Sequence, residues 1–142
     1  MPSLQAHLRL AQKNRDLLDR LLPEISQFSE WITTIAFYRA IHLVEAMFAI
    51  EGIHHFTHEQ RESRMGQNPR KYGMLYRNYH ILSTASKHAR YLGTSVRDSV
   101  TSFDAYISFT RVKRELIETN LLAVETMITG FITTLDPDEH ST

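Results

Sequence analysis

Cysteine is absent from the 142-residue chain. That excludes a disulfide scaffold, a thiolate metal site and a cysteine nucleophile together, and it fits a reducing, cytoplasmic compartment. Glycine and proline are scarce, at five and four residues. No glycine-rich loop is available to cradle a phosphate, so a nucleotide would have to be held by side chains and helix N-termini. Gly-x-Ser-x-Gly and His-Glu-x-x-His are also missing, which removes the esterase nucleophile elbow and the zinc-peptidase helix. There is no strand-period alternation, internal repeat or low-complexity run. The opening stretch, MPSLQAHLRLAQKNRD, lacks the apolar core of a signal peptide. The longest apolar region, Trp31 to Ile53, is interrupted by Thr33, Thr34, Arg39, His42, Glu45 and Glu51. A membrane span rarely tolerates such residues at its centre, so the expectation is a buried helix and no membrane.

What is present is ordinary for one globular domain: 42% hydrophobic and 23% charged residues, in a chain long enough to bury its own core. The net charge is zero, but the charges are not evenly spread. Between Thr57 and Arg97 stand Arg61, Arg64, Arg70, Lys71, Arg77, Lys87, Arg90 and Arg97 against only Glu59 and Glu62. After Arg114 the order reverses, with six acidic residues and no Lys or Arg. The zero total therefore conceals local fields of opposite sign.

Helical spacing runs through the whole chain, and the expected fold is an all-α, up-and-down bundle of four to five helices in a single domain. The first helix should run from Ser3, its N-cap, to about Leu22, with Pro23 just beyond. A central, very apolar second helix covers about Ser26 to Glu51, and Gly52 can take the positive φ that ends it. Thr57-His58-Glu59-Gln60 reads as the capping box of a short third helix, broken by Gly66, Asn68 and Pro69. The fourth covers about Tyr72 to Tyr91, with Gly93 as terminator. After a linker at Gly93–Thr101 the fifth runs from near Ser102 to Leu135, followed by a frayed tail over 136–142. Tyr106 and Phe109 make the fifth helix very apolar, which points to a homodimer.

Three groups of residues could carry chemistry. Arg39, His42 and Glu45 stand three apart and form a polar stripe on the second helix. Buried charges require partners, and Glu45 paired with either neighbour would provide one. The stripe reads either as a polar seam at a helix or dimer interface or as the floor of a ligand site. His54, His55 and His58 form the second group. Gly52 and the cap at Thr57 put His54 and His55 in a loop, which spoils the i, i+4 geometry a metal needs. A carboxylate-bridged bundle site requires Glu-x-x-His on each of two helices plus two more carboxylates, so no metal and no other cofactor is expected. A metal-binding bundle stands as a distant alternative that needs His42, His54 or His58 to converge with Glu45. The third group interleaves Arg70, Lys71, Tyr72, Tyr76, Arg77, Tyr79, His80, Lys87, His88, Arg90 and Tyr91. Cations suit phosphates and aromatic rings stack on unpaired bases, so this segment, with Arg61 and Arg64, is the expected RNA or nucleotide surface.

Ala36-Phe37-Tyr38-Arg39-Ala40-Ile41-His42-Leu43-Val44-Glu45-Ala46, followed by Gly52-Ile53 and Thr57-His58, resembles the second helix and following loop of HEPN domains. Leu82 with Ser86-Lys87-His88-Ala89-Arg90-Tyr91 is similar to a later helix of that family. The resemblance covers roughly a third of the chain, as pattern rather than as fixed motif. It implies an up-and-down bundle that dimerises. It also implies metal-independent endoribonucleases, often of toxin–antitoxin or phage-defence systems, or relatives that bind nucleotides or assist partners. The family's nucleases carry an Arg followed, after four to six residues, by a His, and no histidine here meets that spacing. Arg77 and His80, separated by two residues, still share a helix face. An altered site would use His80 as base toward a ribose 2′-hydroxyl and Arg77 against phosphate charge. His58 and Arg61 offer the second pair, near a helix N-terminus. The expected function is an RNA- or nucleotide-associated module without the usual nuclease motif. The rival is a helical protein-interaction domain with no ligand chemistry.

Overall fold

The computed structural model describes residues 3–54, 57–92, 103 and 107–135, and these are helical with short connections and no strand. Helix α1 spans Leu4–Leu21. The Ser3 hydroxyl accepts the Ala6 N–H at 3.2 Å, which satisfies one of the amides a helix start leaves without a partner. Pro23 does not end α1 in a loop. It sits early in a 3₁₀ turn, Leu22–Glu24, that runs straight into α2, Ile25–Ile50. Proline is tolerated there because its missing N–H would have had no partner. Phe28, with φ −123° and ψ 30°, kinks the first turn of α2. Beyond the kink α2 is buried on almost every side from Ile32 to Phe48, as a helix apolar all round should be.

Gly52 closes α2 with φ +75°, the one described residue in the conformation that favours glycine. Helix α3, His58–Gly66, begins with the complete capping box: Thr57 Oγ accepts the Gln60 N–H and Gln60 Oε1 accepts the Thr57 N–H. Helix α4, Pro69–Leu92, starts three residues before the expected Tyr72. Proline is pre-set for a first helical turn, and Asn68 Oδ1 accepts the Lys71 N–H at 3.3 Å. Helix α5 opens at Phe109–Arg111, where Ser108 Oγ accepts the Arg111 N–H at 3.3 Å. It widens into π geometry over Val112–Leu121 and returns to α over Leu122–Leu135. The Thr119 hydroxyl donates to the Arg114 carbonyl five residues back, in step with i→i+5 pairing. Ser102, the linker at 93–101 and the tail at 136–142 lie outside the described residues, as do His55 and Tyr106.

Side-chain contacts fix the helix directions. His7 meets His42 and the Ala11 carbonyl meets Arg39, so α1 and α2 are antiparallel. Phe37 meets Tyr79 and Phe48 meets Tyr72, which makes α2 and α4 antiparallel. Tyr72 meets Phe131 and Asn78 meets Asn120, which does the same for α4 and α5. The core gathers around Phe37, Phe48, Met47, Leu75, Tyr79, Leu121 and Ile128, all essentially inaccessible. Two stretches, Leu4–Ile50 and Phe109–Thr134, are long and apolar enough to cross a membrane by length and composition. The apolar window of the first is 78% buried inside the fold, as in a core helix.

Candidate functional site at the junction of α2, α3 and α4

The members of the α2 polar stripe reach α1, α3 and α5 between them. Arg39 Nε donates to Glu125 Oε2 of α5 at 2.5 Å, and its Nη1 donates to the Ala11 carbonyl of α1 at 2.8 Å. Arg15 of α1 approaches the same carboxylate at 3.4 Å, so Glu125 ties three helices. His42 Nδ1 lies 3.5 Å from His7 Nδ1, with the rings tilted at 35°. Glu45 takes its hydrogen bond from Arg61 Nε of α3. Glu45 therefore takes its counter-charge from Arg61 of α3, across the helix interface, where the sequence had offered its neighbours Arg39 and His42.

Arg61 is the centre of the junction. Its side chain is 8% exposed and that of Glu45 7%, so both charges are withdrawn from water and depend on each other. Arg61 Nη1 also donates to Tyr79 Oη at 3.0 Å and lies 2.9 Å from His58 Nδ1. A guanidinium only donates. His58 Nδ1 is therefore the acceptor, and the proton of the neutral ring resides on Nε2, facing away from Arg61. Burial, then the charges of Arg61, Arg90 and Lys87, hold the His58 imidazole below its ordinary pKa, with Glu62 opposing. Burial pushes the Tyr79 phenol up to about 12, so it stays protonated. Arg61 remains charged: burial alone would lower its pKa, and Tyr79 and Glu45 more than reverse that.

Aromatic rings build the outer surface of this node. His58 stacks on buried Phe37, with centroids 5.7 Å apart and planes at 26°. Tyr38 stacks against the same Phe37 ring, at 6.4 Å and 29°. Both His58 and Tyr38 are exposed. The result is a pair of accessible rings braced by one core phenylalanine, with Lys87 and Arg90 of α4 close enough to act on His58 through their charge.

The other predicted positions are scattered. Arg77 and His80 are exposed on α4. His80 lies edge-on to Tyr76 and 3.8 Å from Glu62 Oε1. Lys71 is committed to Glu51 at 2.7 Å, and the Tyr72 hydroxyl donates to the same carboxylate. Arg64 lines a shallow groove along α3 with His54 and Glu59, and Arg70 lies at the start of α4, on another groove. One Glu-x-x-His does occur, Glu51 to His54, but it crosses the Gly52 turn and Glu51 is taken by Lys71 and Tyr72. Among the described residues no three His, Asp or Glu side chains converge as metal ligands.

Residues missed from sequence were those on the far side of each contact: His7, Glu125 and the hydroxyl of Tyr79. His7 had a signal, since it lies on the buried stripe with Ala11 and Leu18. Glu125 adjoins Val124 on an apolar helix, which marks a charge near the core without naming its partner.

The part-buried histidine pair has a measurable consequence. Burial holds both His7 and His42 below the ordinary imidazole pKa, and each also feels Arg61 and Glu45. The unfolded chain then binds protons more readily than the folded one. Stability should be full above about pH 6.5 and should fall as pH drops from there toward the lowered folded values. His7→Gln with His42→Gln should flatten melting temperature between about pH 7.5 and about pH 5. An unchanged slope in that variant would mean that other groups dominate.

No family model, curated protein or solved structure matches this chain, so its function is read from the α2–α3–α4 junction itself.

Proposed function

We propose that the chain is a HEPN-like module, an up-and-down helical bundle that binds single-stranded RNA or a nucleotide at the α2–α3–α4 junction without cleaving it. The observation that carries the reading is the exposed His58 ring, stacked on Phe37 beside exposed Tyr38 and electrostatically coupled to Lys87 and Arg90. Accessible rings stack on unpaired bases, and nearby cations take the phosphates. Binding is favoured over cleavage by the state of His58. A general base needs a free nitrogen lone pair, but Nδ1 is engaged by Arg61 and Nε2 carries the proton.

A cytoplasmic homodimer in a toxin–antitoxin or defence setting completes the proposal. Exposed Trp31, Phe109 and Leu122 provide apolar surface for a second copy. The protein-interaction reading has its own support, because Arg61 and Lys71, two of the expected phosphate ligands, are already paired with Glu45 and Glu51.

Labelled single-stranded RNA, scored for binding and cleavage with EDTA present and absent, separates these readings. The expected result is salt-sensitive binding with the RNA intact. Cleavage that survives EDTA and is lost in Arg77→Ala or His80→Ala would instead make the protein a nuclease with displaced catalytic residues. Absence of binding at low salt would leave the protein-interaction domain.

A further inference from the structure

A second concavity lies on the other side of α4. The start of α4 and the last turns of α5 enclose a groove of about 630 Å³, within the size range of small-molecule sites. Met74, Met127 and Phe131 line it, and Arg70 and Lys71 stand at one end. Met74 is 57% exposed, an apolar side chain turned to solvent at the groove mouth. Lys71 is held by Glu51, while Arg70 is exposed. Among the described residues no carboxylate lines the groove, so a second copy docked face to face would bring cation against cation.

Two glycines line the same groove, Gly73 of α4 and Gly130 of α5. They are the glycines in helix interiors among the described residues, where glycine is less stable than alanine. Packing among the described residues does not require either: a Cβ added at Gly73 or Gly130 meets none of their atoms within 4 Å. Their effect is to leave bare backbone on both walls, widening the groove for something that approaches closely.

We propose that this groove binds a free medium-chain carboxylate. Its alkyl chain lies over Met74, Met127 and Phe131 between the two glycines, and its carboxylate is at Arg70. Unbranched methionine side chains adapt to a flexible apolar chain, and Arg matches a carboxylate in charge and shape. This site is separate from the junction carrying His58, and it stands or falls independently of RNA binding.

The test is titration of the full chain with dodecanoate, followed through the methyl signals of isotope-labelled methionine. Met74 and Met127 should shift, and the fully buried Met47 and Met65 should not. Arg70→Gln should weaken dodecanoate at least tenfold, and dodecyltrimethylammonium, with the same tail and opposite charge, should bind at least tenfold more weakly. Gly73→Ala with Gly130→Ala should raise the melting temperature while weakening dodecanoate at least tenfold, so lost binding cannot be ascribed to lost folding. Shifts that spread to Met47 and Met65, equal binding of the cationic amphiphile, or unchanged affinity in the stabilised alanine variant would each overturn the proposal. So would an acidic helical peptide shifting Met74 and Met127 where dodecanoate does not.

Discussion

Arg61→Ala should destabilise the protein by about 3–5 kcal/mol, because it breaks a buried ion pair by removing the guanidinium from the Glu45 carboxylate. The loss extends further than one pair. Tyr79 Oη and His58 Nδ1 surrender the donor they share, and α3 loses its buried tie to α2. Urea unfolding should show a lower midpoint at an unchanged slope. Replacing both partners, Glu45→Leu with Arg61→Met, should recover more than half of that loss, since an apolar pair needs no compensation. In Arg61→Lys the planar fork is gone, so recovery should be poor despite the retained charge. His58 supplies an independent readout. With the Arg61 charge removed, its imidazole pKa should rise toward the ordinary value, as a proton NMR titration would show. A single and double variant of equal stability would refute the claim that the buried pair is the cause.

Phe37 gives the second large effect. It is 1% exposed and touches the rings of Tyr38, His58 and Tyr79. Phe37→Ala should cost about 3–5 kcal/mol through the cavity it leaves. Phe37→Leu should stay folded and lose only the stack beneath His58 and Tyr38. If those rings receive bases, its affinity for single-stranded RNA should fall about tenfold, within what one base–aromatic stack contributes. Unchanged affinity in a folded Phe37→Leu variant would remove the rings from the binding surface.

Local signals in the sequence were reliable where the physics is local. The Ser3 cap, the positive φ at Gly52 and the Thr57–Gln60 capping box depend on residues within one turn, and they stand where the spacing puts them. Helix α4 begins three residues ahead of Tyr72, because proline, a breaker inside a helix, suits its first turn. The start of α5 at Phe109 follows the Ser108 cap. Its π segment had no periodic signature, since the apolar residues Val112, Leu116, Ile117 and Leu121 fit an ordinary helix nearly as well.

The site was harder to read. Arg39, His42 and Glu45 stood out as a stripe because charges on an apolar helix are costly. Their partners lie 86, 35 and 16 residues away, at distances only tertiary packing determines. For the same reason Arg61 looked like one more member of a basic patch. Its 7% exposure separates it from Arg64, Arg70 and Arg77, and exposure of an individual arginine on a nine-residue helix is not written in local spacing. The two helix-interior glycines carry a signal of their own in the sequence: glycine in a helix costs stability, so each calls for a reason.

The most direct test of the junction as a nucleic-acid surface is the salt dependence of affinity for labelled single-stranded RNA, comparing the natural chain with Lys87→Gln/Arg90→Gln. Each phosphate contact on a single strand contributes about 0.7 to the slope of log affinity against log salt. The double variant should bind more weakly at low salt, with a slope shallower by about 1.4. Identical slopes and affinities in the two proteins would contradict the account and place any RNA contact away from His58, Lys87 and Arg90.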